Sequence, residues 1–137
     1  MQIIIGAFVS GLDAGQIYQS WPLMDKSYFP DDSNIKDLFS LNFFGTPSLV
    51  QFIHRNMAYL ILLIFFIIAT IIFRNNDFIY IRKTILLVFV SLFLQIVLGI
   101  LTVISGAQII LASMHQIGSI ILVTTAIILL FKNSKIS

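Results

Sequence analysis

The chain is 137 residues long, 58% hydrophobic and only 10% charged, with a formal net charge of +2. Soluble domains carry roughly 25% charged residues, so this composition excludes an ordinary water-soluble fold and points to an all-α, multi-pass membrane bundle; the small net charge offers no nucleic-acid footprint. There is no cysteine, which rules out a disulfide, a thiolate ligand or a redox dithiol, and no glutamate.

Residues 1–10 (MQIIIGAFVS) are apolar but about half the length of a span, and they lack the basic head and cleavage site of a signal peptide. They read as the end of a helix whose beginning is missing, and the chain as the C-terminal portion of a longer protein. A polar loop follows over residues 11–46. Within it, IKDLFSLNFF places Ile35, Leu38, Phe39 and Asn42 at helical spacing; this is either a short interfacial helix over the mouth of the bundle or an apolar loop.

Three spans come next, at 47–73, 84–104 and 109–131, each with the roughly 20 residues that a hydrocarbon core about 30 Å thick requires. Thr46-Pro47 supplies an N-cap and a proline at the first helical position, and Ser105-Gly106 supplies a stop for the second span. Basic residues set the orientation. Arg74, Arg82 and Lys83 sit between the first two spans, and Lys132 and Lys135 in the tail, so those ends belong on the cytoplasmic or matrix side. The 11–46 loop holds Asp13, Asp25, Asp31, Asp32 and Asp37 against Lys26 and Lys36, and belongs outside. The first and third spans therefore run in the same direction.

The two histidines of the chain lie near the starts of those two spans, His54 in VQFIHRNMAYL and His115 in LASMHQIGSI. Alone, a membrane histidine is commonly a hydrogen-bonding packing residue. A pair on co-directional helices at matched depth suits a joint ligand role. Zinc and copper sites use three or four protein ligands, and here there is no Cys or Glu, and every Asp falls in a loop. A haem iron needs only two axial ligands from the protein. On the third span, Ala112, Gly118, Ser119 and Leu122 share the His115 face, and Ala58 lies one turn from His54. These small residues would admit a macrocycle, or else simply let helices pack. The middle span carries a stripe of Gln95, Gly99, Thr102 and Gly106 that should face the bundle interior, lining a haem slot or hydrogen-bonding a neighbouring helix. Arg55 follows the first histidine near the outer surface, where it could pair with haem propionates or extend to the interface.

Four segments in order, GAFVSGLDAGQIYQSWPLM, VQFIHRNMAY, QIVLGILTVISG and LASMHQIGSI, resemble the C-terminal half of the haem A synthase family, over about residues 5–130. The resemblance implies eight transmembrane helices in two similar four-helix halves, of which these spans are the sixth to eighth. It also implies a b-type haem as cofactor, with its iron held by the counterparts of His54 and His115. The family is a membrane oxidoreductase needed for cytochrome oxidase assembly, which oxidises a ring methyl of haem O to a formyl group. The resemblance further implies lipid, haem O, the missing N-terminal half, other copies of the chain and haem O synthase as partners. It places the protein in the bacterial inner or mitochondrial inner membrane, with the histidines toward the periplasmic or intermembrane face. Two departures stand out. The family's reaction site uses a glutamate and a second histidine pair in the N-terminal half, and this chain has neither, so no catalytic residue is expected in it and the chain alone is expected to be inactive. The loop cysteine pair of some members is absent as well, as in the proteobacterial and mitochondrial branch. The alternative readings are a bis-histidine cytochrome b subunit of a quinone-linked dehydrogenase, and a cofactor-free membrane scaffold. Coding DNA upstream of Met1 that extends in frame to a second histidine pair is the outcome expected of a synthase and not of the subunit.

Overall fold

A computed structural model describes residues 1–134 of the chain; Lys135 of the basic tail lies outside them. Four α-helices account for most of it: α1 Gln2–Gly11, α2 Pro47–Arg74, α3 Arg82–Ile104 and α4 Ile109–Ser134. Among the described residues there is no β-strand, only an isolated antiparallel bridge between Met24 and Ser27. Helices α2, α3 and α4 have 28, 23 and 26 residues, or about 42, 35 and 39 Å at 1.5 Å per residue. Each exceeds the roughly 30 Å of a hydrocarbon core, and each is apolar enough to cross a membrane.

The helix boundaries follow from local chemistry. Pro47 occupies the first helical position of α2, where its missing N–H costs nothing and its fixed φ favours the helix. At the far end, the Arg82 guanidinium donates to the carbonyls of Ile72, Phe73 and Asn75 at 3.4, 3.0 and 3.3 Å. It thereby satisfies acceptors that the end of α2 leaves without intrahelical partners. The Asn75 side chain accepts from the Asp77 N–H at 3.0 Å and starts the 3₁₀ turn Asn76–Ile81 that leads into α3. Helix α3 ends in a Schellman turn: Gly106, at φ +69°, and Ala107 return their N–H groups to Val103 and Thr102 at 3.1 and 2.8 Å.

Of the two readings of residues 35–44, an interfacial helix or an apolar loop, the structure does not form the single helix. Residues 35–45 form two 3₁₀ turns, Ile35–Phe39 and Leu41–Gly45, separated by Ser40 in an extended conformation. A capping box between Asn34 and Asp37 satisfies the donors at the start of the first turn, and the extended Ser40 ends it. The apolar character survives: Phe39 and Leu41 are 89% and 84% exposed.

Packing is closest between α3 and α4 and next between α1 and α2; α2 meets α3 less extensively, and α2 and α4 do not pack along their lengths. The buried cluster that joins the three long helices lies at the basic end of the bundle. It comprises Ile72, Ile81, Ile85, Val88 and Leu129, flanked by Phe65, Ala69, Phe78 and Leu122. At the same end, the Lys132 ammonium donates to the Thr84 hydroxyl at 3.0 Å. The opposite end is held by the 11–46 loop, which buries Ala14, Tyr18 and Met24 together with Leu49 and Val50 of α2. Most other large apolar side chains, Leu63, Phe66, Ile120 and Phe131 among them, face outward, as a lipid-facing surface requires.

Lipid is as apolar as a helix interface, so burial from water contributes little here and close packing contributes most. Ile85→Ala, at a position with no exposed surface, should therefore lower stability by about 2 kcal/mol, the low end for such truncations. Thermal or denaturant unfolding in detergent measures this, and no change would mean that the cluster does not hold the helices together.

Candidate functional site

His54 stands seven residues into α2 and His115 six residues into α4, about 10 Å and 9 Å along their helices. The short connections make α2 and α4 run in the same direction, which sets both rings at one level. The imidazoles meet between helices that come together otherwise only in the cluster at the basic end. Their ring centroids are 6.5 Å apart and their planes are 82° to one another. Both residues are half-buried, and the Nδ1 atom of each is buried with no hydrogen-bond partner. A buried nitrogen left in that state costs free energy. Among the described residues no third His, Asp or other metal-binding side chain joins the pair.

Each ring rests against a glycine on a neighbouring helix. A Cβ added to Gly6 of α1 would sit 3.1 Å from His54 Cε1, and one added to Gly99 of α3 would sit 3.1 Å from His115 Cε1. Gln2 reaches His54 as well; its amide donates to the His54 carbonyl at 3.0 Å and lies 3.5 Å from Nε2. Gln2, Gly6 and Gly99 were not identifiable as ring contacts from spacing along one helix. A signal was nevertheless present, because QIIIG at residues 2–6 and QIVLG at 95–99 are nearly the same pentapeptide.

The small-residue stripes divide between the two readings they allowed. Gly118 is a packing position, since a Cβ there would fall 2.0 Å from the Gln95 amide nitrogen. Gln95 is 7% exposed and turned toward α4, as a polar residue within a span should be. Gly99 receives the His115 ring. Thr102 turns its hydroxyl back to the Leu98 carbonyl at 2.7 Å, and Gly106 lies under the side chain of Gln19.

Arg55 lies on the loop side of α2, one residue beyond His54. Its guanidinium donates to the Tyr18 carbonyl at 3.0 Å and the Leu23 carbonyl at 3.3 Å, while Nε is buried without a partner. Gln51 donates to the same Tyr18 carbonyl at 2.9 Å. Trp21 donates to the Tyr59 hydroxyl at 2.9 Å and the Tyr28 hydroxyl to the Asn56 side chain. Rings of Tyr28 and Phe29 meet Phe52 edge-on, with centroids 5.6 and 5.1 Å away. Residues 52, 55, 56 and 59 share one helix face, so the loop lies down the flank of α2 beside the histidine level.

The family described as cytochrome oxidase assembly protein matches residues 1–127. The chain belongs to that family. Among similar proteins, the heme A synthase of Pelagibacter ubique is 46% identical over 135 residues, covering 98% of this chain and 39% of that protein. Those of Roseobacter denitrificans and Paracoccus denitrificans are each 38% identical, over 88% and 90% of this chain and 31% and 32% of their own lengths. The chain thus spans 31–39% of the length of these relatives. No solved structure matches it.

The anchored loop has a pH signature. The Tyr18 hydroxyl is pushed up to about 12 from its ordinary 10.0 by burial, then by its hydrogen bond to Asp31 and the charges of Asp32 and Asp31. A phenol kept protonated by the fold adds stability that is complete below pH 10 and lost as pH climbs to 12. A tyrosinate absorbance titration should show one tyrosine ionising near 12, and Tyr18→Phe should remove that step. Absorbance that Tyr18→Phe removes near pH 10 instead of near 12 would show that this loop is not held as described.

Proposed function

We propose that this chain holds a b-type haem between His54 and His115, as part of a haem A synthase that oxidises a methyl group of haem O to a formyl group. One observation supports this above all: two imidazoles from separate, co-directional helices meet at 6.5 Å, each with a buried nitrogen that no protein group satisfies. Metal–imidazole bonds are about 2 Å long, so rings with centroids 6.5 Å apart are near enough to share one ion. A pair of histidines without a third protein ligand suits haem, whose porphyrin supplies the remaining four positions. Similarity to heme A synthases over nearly the whole chain favours the synthase over a cytochrome b subunit.

Haem bound there would supply one-electron chemistry. The side chains around it have simpler tasks. His54 and His115 would hold the iron from α2 and α4, and the packed basic end keeps those helices in register. Arg55 ties the outer loop down through Tyr18 and Leu23 and keeps one unpartnered N–H, at Nε, to offer a propionate. The loop itself, packed along α2, keeps water from the rings.

The 137 residues contain no further histidine and no glutamate, so what they contribute to haem A formation in this reading is a resident electron-carrying haem. Haem O binding, methyl oxidation, self-association and contact with haem O synthase would fall to the full-length protein. Arg74, Arg82, Lys83 and Lys132 collect at the end opposite the histidines. That distribution supports a reading in which the histidine end faces the periplasm or intermembrane space of a bacterial or mitochondrial inner membrane.

Purified from membranes, the protein should show a sharp, dithionite-reducible low-spin haem band. His54→Ala or His115→Ala should abolish it, and Arg55→Ala should keep the band but weaken haem retention. A normal spectrum in both histidine variants would overturn the ligand assignment.

A further inference from the structure

The two histidine rings share a device that belongs neither to the ligand pair nor to the loop. In α1, Gln2 is followed one turn later by Gly6; in α3, Gln95 is followed one turn later by Gly99. Residues four apart share a helix face, so each helix presents an amide and a bare backbone patch side by side. At both patches an imidazole is seated in the same way, with Cε1 as its nearest atom. An added Cβ would meet His54 Cε1 at 3.1 Å and Nδ1 at 3.7 Å, and His115 Cε1 at 3.1 Å and Nδ1 at 3.6 Å. The glutamine beside each seat grips the helix that bears the histidine: Gln2 donates to the His54 backbone carbonyl, and Gln95 packs on Gly118, three residues past His115. The other glycines differ. Gly15, Gly106 and Gly118 meet no imidazole, and Gly11 and Gly45 have nothing within 4 Å.

We propose that Gly6 and Gly99 are positioning residues that set the rotation and reach of the His54 and His115 rings, with Gln2 and Gln95 fixing the register of each helix pair. The proposal rests on the reading that both rings ligate one haem iron. Productive ligation tolerates errors of only about 10–20°, and a histidine reaching between helices that pack together only at their far end has two side-chain torsions to restrain. Nδ1 has no well-formed hydrogen bond in either ring; at His115 the Gln95 backbone beside the ring adds to the restraint. Close contact with a side-chain-free backbone restrains each ring from one side, and the opposing ring faces the other. Any side chain at either glycine must push the ring off by a few tenths of an ångström or turn it.

The test uses the full chain loaded with haem b in detergent. Gly6→Ala and Gly99→Ala are compared with Gly15→Ala, where the new methyl would meet the Ala107 Cβ at 3.3 Å and no ring. Ring planes 82° apart leave the iron orbitals that point between the axial ligands nearly equal in energy, which gives a strongly anisotropic low-spin electron paramagnetic resonance signal. The unsubstituted chain and Gly15→Ala should show that signal and leave ferrous haem unreactive to carbon monoxide. Gly6→Ala and Gly99→Ala should shift the signal toward an ordinary rhombic one, admit carbon monoxide, and lose haem affinity by about 10–100-fold, the usual cost of removing support behind a ligand. Gln2→Ala and Gln95→Ala keep both seats and should broaden the signal while haem stays bound, so they decide the matter if a glycine variant fails to fold. Spectra and retention that match Gly15→Ala in all four variants overturn the positioning role alone. A chain that binds no low-spin haem overturns the haem reading, and the positioning role with it.

Discussion

An imidazole placed inside an apolar bundle must have its two nitrogens satisfied where almost nothing can do so. In this chain that problem arises twice, at one level, on helices α2 and α4, which do not pack along their lengths. The rest of the architecture can be understood as what keeps those two helices a fixed distance apart while letting their rings meet. At the basic end, Ile72, Ile85, Val88 and Leu129 clamp α2, α3 and α4 together. At the other end, the outer loop fastens onto α2 through Gln51 and Arg55, and leans on the α3–α4 turn through Gly15 against Ala107 and Gln19 over Gly106. Between the two closures the histidines face one another.

Membrane physics explains why so much of the stabilisation is local. Burial of apolar area from water cannot hold these spans together, because lipid serves as well as a neighbouring helix. What remains is close fit and hydrogen bonding. Both occur where small residues let a neighbour approach, as at Gly118 beneath Gln95, and where a long polar side chain collects several carbonyls, as Arg82 does at the end of α2. Arg55 repeats that role at the opposite end, collecting loop carbonyls. It is anchored to the loop through its terminal nitrogens, while its Nε is buried without a partner.

The arrangement also has an internal symmetry. A helix carrying Gln-x-x-x-Gly followed by a helix carrying one histidine occurs twice, as α1 with α2 and as α3 with α4. Each unit seats its own ring on its own glycine, and the pair of units brings the rings into apposition. The halves differ in their connections: a 35-residue stretch, 12–46, joins the first two helices, whereas the turn at 105–108 joins the second two. That difference gives one histidine a loop-packed flank and leaves the other without it.

Much of this was legible in the residues. Length and apolarity announced three spans, the Pro47 and Ser105-Gly106 signals announced two of their ends, and two histidines without cysteine or glutamate narrowed the chemistry. At 35–44 the residues left a helix and an apolar loop both open, because helical spacing does not reveal that Ser40 adopts an extended conformation between two tight turns. The Gln-x-x-x-Gly repeat was printed in the sequence but had no meaning until a ring was found against each glycine. Periodicity along one helix fixes which residues share a face; it cannot say which neighbour that face meets. The sequence by itself determined three helices long and apolar enough to span, and that His54 and His115 stand near the starts of two of them. Only the tertiary structure decided that the rings meet at 6.5 Å with crossed planes, that Gly99 receives a ring while Gly118 receives an amide, and that Arg55 is tied to the loop. Those outcomes depend on how the helices pack laterally, which is set by contacts between residues far apart in the chain.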